Sequence, residues 1–520
     1  KSSKSNFGPR LGATWTPEFL GGKTVIRGGG GFYFGPGQYE DLIQPIESNV
    51  FRSSQSLAGG LTTGTSGAVS TIGGIQTGFT PRAYDVEGYQ VPERVLQYGL
   101  SVQHQLPGNT VLTVGYVGSQ GRNLFLRSIT NRILPGNALI GPADVLPGGV
   151  GVISRCSNAL VAGVCTGNIA ITTVREFDTV GKALAAGAIV NNPNSVLKPF
   201  GEIDYKTSGG RDSYNALQIL INRRFTAGLT LNAQYQFGKS YGNTQGSNEA
   251  TTAQNPYSFA EEFGNNTFDI RHSANITALY ELPIGKGKRF DLGGLADAFL
   301  GGWQLGGVYN GRSGSPITVL ITRPDTVFQC KNPAGCQLGG ANVANGFVAS
   351  ALPTTGVNSG FIGVLNTPGG NASRNTRRPD LVAGVNPLLE LGNGLRFLNP
   401  AAFTVPAPGT YGNLPRNFLK GPTFHQFDLT LQKRFRITET TNIEFRSEIY
   451  NLFNKANFSN PVATLPNTLS TATTSHQPGV PFSLANPTNA GTFGNITGTV
   501  GRTVGLGTNR QIQFALRLNF

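Results

Sequence analysis

Methionine is absent from the 520 residues, tryptophan occurs twice, and histidine and cysteine four times each. Charged residues make up only 13%, a scarcity unusual in a cytosolic enzyme. No stretch approaches the roughly 18 consecutive apolar residues that a transmembrane helix needs, so any membrane crossing has to be made by strands. Low charge does not mean disorder in this chain, because 38% of residues are apolar, with 32 Phe and 15 Tyr.

The missing motifs exclude most chemistry. His104, His272, His425 and His476 are far apart and form no HxxxH or His/Cys cluster, so solvated strand or loop positions are expected rather than metal ligation. Gly-x-Ser-x-Gly, Walker-type and complete EF-hand loops are absent. Asp269 with Arg271, and Glu444 with Arg446 and Glu448, share strand faces, and cross-strand ion pairs in a polar lumen explain them better than a catalytic carboxylate pair. Neither an enzyme nor a cofactor is expected. The Gly28–Gly31 run lacks the strand–loop–helix setting and the Lys-Ser/Thr pair of a phosphate loop, and reads as a bent strand with close backbone approach.

The four cysteines fall into two close pairs, Cys156 with Cys165 and Cys330 with Cys336, both in irregular Gly- and Pro-bearing segments. Loop-stapling disulfides in an oxidising compartment are the first reading, with zinc (no His nearby) and free thiols as alternatives. The net charge is +14, but Lys and Arg are scattered singly. That distribution suits a wet lumen, a rim or anionic head groups, and not nucleic acid.

What the chain has in abundance is glycine, at 72 residues, with 31 Pro, and segments that alternate with a period of two. In the last eleven residues, Ile512, Phe514, Leu516, Leu518 and Phe520 are apolar, whereas Gln511, Gln513, Arg517 and Asn519 are polar. Hairpins are expected at 7–17 with 23–35, at 94–106 with 110–126, at 217–225 with 229–237, and at 427–437 with 443–449. Single strands are expected at 269–282 and 302–321. Their polar faces carry Gln, Asn and Thr, as a water-filled interior requires. Loops of tens of residues, about 38–92, 127–210 and 322–423, alternate with short turns. Structureless loops that long argue against a compact soluble domain, but an outer-membrane barrel has long outer loops and tight periplasmic turns. About eleven strands result. Open edges cannot face hydrocarbon, so the wall is expected to be completed by missing sequence or another chain. With no signal peptide or initiator Met, the chain reads as a processed or partial product. Trp15, Tyr280, Trp303, Phe435 and Phe520 lie near strand ends, where an aromatic girdle is favoured over ligand stacking.

Several segments together carry a resemblance: NFGPRLG with GKTVIRGGGGFYFGP, RDSYNALQILINRRF, DIRHSANITALYELPIGKGKRF, GGWQLGGVYNGRSGSPITV, NPAAFTVPAPGTYGNLPRN and RQIQFALRLNF. The chain resembles the carboxyl-terminal half of the β-barrel in TonB-dependent transporters of the Oar-like type. The resemblance implies an all-β, antiparallel outer-membrane barrel of about 22 strands with a plugged lumen, of which residues 1–520 supply about half. It implies the cell outer membrane as location, with lipid and lipopolysaccharide around the wall. It implies contact with the TonB complex through an amino-terminal plug, which these residues do not contain, and transport of a large or scarce substrate caught by the outer loops. It further implies that Ile512, Phe514, Leu516, Leu518 and Phe520 are read by the barrel-assembly machinery. A surface structural, assembly or adhesion protein anchored by such a barrel is the alternative; a soluble β-sandwich comes third.

Overall fold

The computed structural model describes residues 6–35, 92–130, 203–244, 253–255, 258–321, 377–390, 395–404, 406, 411–438, 440–465, 491–501 and 509–520. It also gives short backbone strands within 82–84, 139–173 and 329–330. Eleven strands follow one another in a single antiparallel meander. They are β1 (Arg10–Trp15), β2 (Thr24–Phe34), β3 (Arg94–Leu106), β4 (Thr110–Thr130), β5 (Ile203–Thr226), β6 (Leu229–Gly242), β7 (His272–Glu281), β8 (Trp303–Arg312), β9 (Phe424–Arg436), β10 (Asn442–Tyr450) and β11 (Gln511–Asn519). Each pairs with its sequence neighbour, and β1 and β11 are the two ends of the sheet, not joined to each other.

The register shows why alternation builds a two-faced wall. Residues opposite one another in a ladder share a face. Along one row, Ile219 pairs with Tyr235, Tyr235 with Ala274, and Ala274 with Gly311. A second row runs Leu305–Leu431–Ser447–Phe514. On the other face, Gln218 pairs with Gln236, and their side-chain amides bond at 3.2 Å. Asn222 and Asn232 bond likewise at 2.8 Å. Apolar side chains on the first face remain exposed: Leu100, Tyr116, Phe237 and Ile276, then Ile512, Phe514, Leu516 and Leu518. A soluble protein would cover such a face.

All the hairpin turns gather at one end of the wall. β3 and β4 are joined through Asn109 (φ 53°) and Gly108 (φ 71°), and β5 and β6 through Ala227 and Gly228, which also take positive φ. The opposite end carries the long connections 35–93, 131–202, 243–271, 313–423 and 451–510. The expected hairpins are all present, and Gly28–Gly31 lies within β2.

Three expectations need correction. β4 and β5 run to Thr130 and from Ile203, well past the anticipated ends at 126 and 210. At roughly 3.3 Å per residue β5 extends about 80 Å, whereas a membrane crossing takes about 9–11 residues. The extension pairs through its backbone without the apolar alternation that marks the lower wall, and so has no period-two signal. β8 stops at Arg312, not Ile321; Pro316–Ile317 and Leu320–Ile321 leave the wall for separate two-stranded sheets. The cysteine-bearing segments are not wholly irregular, because Cys156, Cys165 and Cys330 each close a short strand. The cysteine side chains, and all of Cys336, lie outside the described residues, as does His476.

The glycine run matters where β1 approaches β2. A Cβ on Gly29 would sit 2.9 Å from the Leu11 carbonyl oxygen. Gly29→Val is therefore expected to loosen the edge strand locally by about 1–3 kcal/mol. Hydrogen exchange should quicken at Arg10–Trp15 and stay unchanged from β3 onward; unchanged exchange in β1 would contradict the close approach.

Candidate functional site

The loop end is built, not structureless. The described parts of 313–423 and 451–501 form one outer body through paired short strands, Pro316–Ile317 with Leu419–Lys420, Leu320–Ile321 with Thr464–Leu465, and Asp380–Leu381 with Phe403–Thr404, and the described part of 253–271 is tied to it by polar contacts. Their apolar residues form the buried cluster Ile317, Val319, Ile321, Leu398, Phe403, Leu419, Leu465 and Phe493. Most of the cluster comes from 313–423, and Leu465 and Phe493 join it from 451–501, so burial is shared between two connections far apart in sequence.

Polar groups fasten this body together and to the wall. Arg378 grips Glu262 with both terminal guanidinium nitrogens, at 2.9 and 3.0 Å, and its Nε donates to the Leu414 carbonyl at 2.8 Å. Gln254 links the same residues: its side-chain Oε1 accepts from Arg378 N at 2.6 Å, its side-chain Nε2 donates to Gly412 O, and its backbone N–H donates to Glu262. Asp269, fully buried, accepts from Lys420 Nζ at 2.6 Å and from the backbone N–H of Ser240 in β6 at 2.7 Å. Arg416 donates to the Gly242 carbonyl, and burial pulls its guanidinium below its usual range against the opposing pull of Glu262 and Asp212. Above the wall, the β4–β5 extension buttresses the body: Leu124, Phe125 and Leu126 are buried, and Ser128 Oγ donates to Ala253 O at 3.2 Å. Asp269 and Arg271 do form an ion pair, at 3.6 Å, but not within a strand facing a lumen. They precede β7, and Asp269 is instead an anchor point for the outer body.

Beneath the outer body the polar face is lined by amides and charges. A concavity of about 770 Å³ is bordered by Gln103, Gln105, Asn109, Asn222, Arg224 and Asn232 near the turns. Towards the last strands, Arg434 pairs with Glu444 at 3.5 Å and Arg446 with Glu448 at 3.4 Å. These groups can bind polar solutes or protein surfaces. Among the described residues no group of three potential metal ligands comes together, and no helix is long and apolar enough to cross a membrane.

The strand register gives the positions of the residues singled out from sequence. Trp15, Tyr280, Trp303 and Phe435 all stand at turn-end positions on the apolar face, opposite Ile26, Leu305, Lys433 and Ile443 respectively. Ile512, Phe514, Leu516 and Leu518 project from the edge strand on that same face, and Phe520 follows, 95% exposed. The histidines correct the sequence reading. His104, His272 and His425 do lie in strands, one of the two expected settings, but on the apolar face and not on the wet one, each held at 2.8 Å by the hydroxyl of Thr24, Tyr235 or Tyr309 on the adjacent strand. A polar ring on that face requires a partner, and period-two reading alone does not identify it. Lys433, also on the apolar face, was missed altogether.

A family model described as an outer membrane beta barrel domain matches residues 1–513. The chain belongs to that family. Its place is the outer membrane, the exposed apolar face of this barrel domain is its lipid face, and the turn and loop ends are periplasmic and extracellular. Among solved structures, the outer membrane transporter YddB from Escherichia coli is similar at 9% identity and TM-score 0.38, over 99% of this chain and 40% of its own. The ferric-catecholate import receptor Fiu from E. coli K12 is similar at 9% identity and TM-score 0.31, over 98% and 34%. The ferripyoverdine receptor of the outer membrane of Pseudomonas aeruginosa, bound to ferripyoverdine, is similar at 9% identity and TM-score 0.34, over 100% and 33%. The chain thus spans between about a third and two-fifths of the length of these proteins. No curated protein matches it.

Removing one partner of a buried ion pair leaves the other charge uncompensated, at about 3–5 kcal/mol. Arg378→Met is expected to free the outer body without unfolding the barrel domain. Protease protection should be lost in 254–271 and 377–420 while β5–β10 stay protected; protection that persists throughout would contradict the anchoring role.

Proposed function

We propose that this barrel domain is the carboxyl-terminal part of an Oar-like TonB-dependent transporter that imports a large or scarce substrate. The observation that supports this reading best is the packed outer body standing over an amide- and charge-lined inner face. A passive anchor has no need to hold an ordered extracellular body above a wet passage, whereas a receptor has to catch its substrate there. Capture falls to the outer loops, about 38–92, 127–210 and 322–423. Most of these lie outside the described residues, and their described parts (377–390 above all) are the scaffold from which the rest extend. Disulfides Cys156–Cys165 and Cys330–Cys336 would staple two of these loops.

In this reading a plug and its TonB contact come from sequence preceding the chain or from another chain, which also supplies the strands that pair with β1 and with β11. The edge strand, with Ile512, Phe514, Leu516, Leu518 and Phe520, is the segment read by the barrel-assembly machinery. Trp15, Tyr280, Trp303 and Phe435 form the periplasmic girdle, where amphipathic rings favour the lipid–water boundary. Lipopolysaccharide surrounds the outer half of the wall. The domain performs no catalysis of its own.

Deleting TonB is expected to abolish uptake of the substrate to the same degree as deleting the gene for the whole protein. Uptake that survives without TonB would contradict active import and favour a surface structural or adhesive role for the barrel.

A further inference from the structure

At the periplasmic end most connections are tight, but residues 282–302 between β7 and β8 form something larger. Glycines at 293 and 294 (φ 66° and 57°) open a short helix, α1 (Gly294–Leu300), and Gly301 and Gly302 close it before Trp303. The helix sits on the lipid side of the wall. Its end is fastened there by two side chains that point outward: Trp303 Nε1 donates to the Phe299 carbonyl at 3.1 Å, and Lys433 Nζ donates to the carbonyls of Phe299 and Gly301 at 2.9 and 2.7 Å.

Lys433 explains why the helix is placed there. It sits in the lipid-facing row Trp303–Lys433–Phe445–Leu516, where a bare ammonium is costly. The helix C-terminus offers free carbonyls and the negative end of its dipole. The ammonium also lies 5.4 Å from the Trp303 ring centre and 4.9 Å from that of Phe435. Enclosed in this way, Lys433 is only 2% exposed.

The opposite side of the connection is bare and apolar. Within α1, Leu295 and Phe299 are four residues apart and share one face, with Leu300 beside them and the exposed Phe290 and Leu292 just before the helix, and together these make the apolar stripe. Leu295 is 80% and Phe299 68% exposed. The nearby carboxylates are occupied by backbone amides: Asp297 accepts from Lys286 N, and Asp291 from Gly287 N and Gly293 N. Lys288 is tied to Glu281 at 2.8 Å. The side chains of Lys286 and Arg289 stay exposed, so the rim presents an apolar stripe beside two cations.

We propose that residues 282–302 are an interfacial lipid anchor. The stripe enters the phospholipid of the periplasmic leaflet, Lys286 and Arg289 lie against head-group phosphates, and Lys433 positions the helix from behind. Phospholipid is the occupant because the stripe continues the lipid face of the wall, to which α1 is fixed, and because the cations border it as they do in amphipathic helices that lie in the membrane plane.

The test uses the assembled barrel reconstituted in phosphatidylglycerol-containing vesicles, with Leu295→Trp introduced and its emission read as the difference from the parent. The difference emission should be shifted to the blue and lose most of its intensity when the acyl chains carry bromine. Lys433→Met should shift it back towards the red and reduce the quenching. Lys286→Glu with Arg289→Glu should reduce quenching in anionic vesicles only. Water-like, unquenched emission at position 295 in a barrel that still runs as the compact, heat-modifiable form would overturn the anchor. Unchanged quenching in Lys433→Met would overturn the clamp, and unchanged quenching in the charge-reversed protein would overturn the head-group contact.

Discussion

Backbone N–H and C=O groups cannot go unpaired in hydrocarbon, where each one costs several kcal/mol. The meander of β1 to β11 meets that demand for every interior strand. Once the ladder is made, the strand's period of two sorts the side chains without further instruction: one set meets lipid and the other meets water. The Gln218–Gln236 and Asn222–Asn232 amide pairs, the Arg434–Glu444 pair and the exposed Ile276 and Leu516 are consequences of that one rule.

The rule also decides what could be read in the sequence. Where a strand crosses lipid, the alternation is enforced, and β3, the lower parts of β4 and β6, and β9 were legible almost to their ends. Where β4 and β5 rise beyond the membrane, both faces meet water or protein, the alternation lapses, and the extensions to Thr130 and from Ile203 were not visible. The outer body was invisible for a related reason. Its core joins Ile317, Phe403, Leu465 and Phe493 across connections far apart in sequence, and no local pattern announces a pairing such as Leu320 with Thr464. The buried Arg378–Glu262 pair, in loops that read as polar and irregular, belongs to the same class.

Exceptions to the sorting rule are where the structure is most specific. His104, His272 and His425 are polar rings on the lipid face, and each takes a hydroxyl from the next strand. Lys433 is a full charge on that face, and it is accommodated by the helix end that the β7–β8 connection brings to it. In both cases a local violation of the pattern is offset by a neighbour that the pattern does not predict. Seven residues of helix would have little reason to form alone; glycine hinges, the Trp303 indole and the Lys433 ammonium fix them in place.

The most direct measurement places an arginine on each face at the same depth and compares the folding stability of the barrel in lipid. Ile276 and Thr277 are neighbours on β7 and face opposite ways. Ile276→Arg is expected to cost about 2–4 kcal/mol, the midplane figure for a lipid-facing strand, and Thr277→Arg to cost little. Equal costs, or a larger cost at Thr277, would contradict the assignment of the two faces.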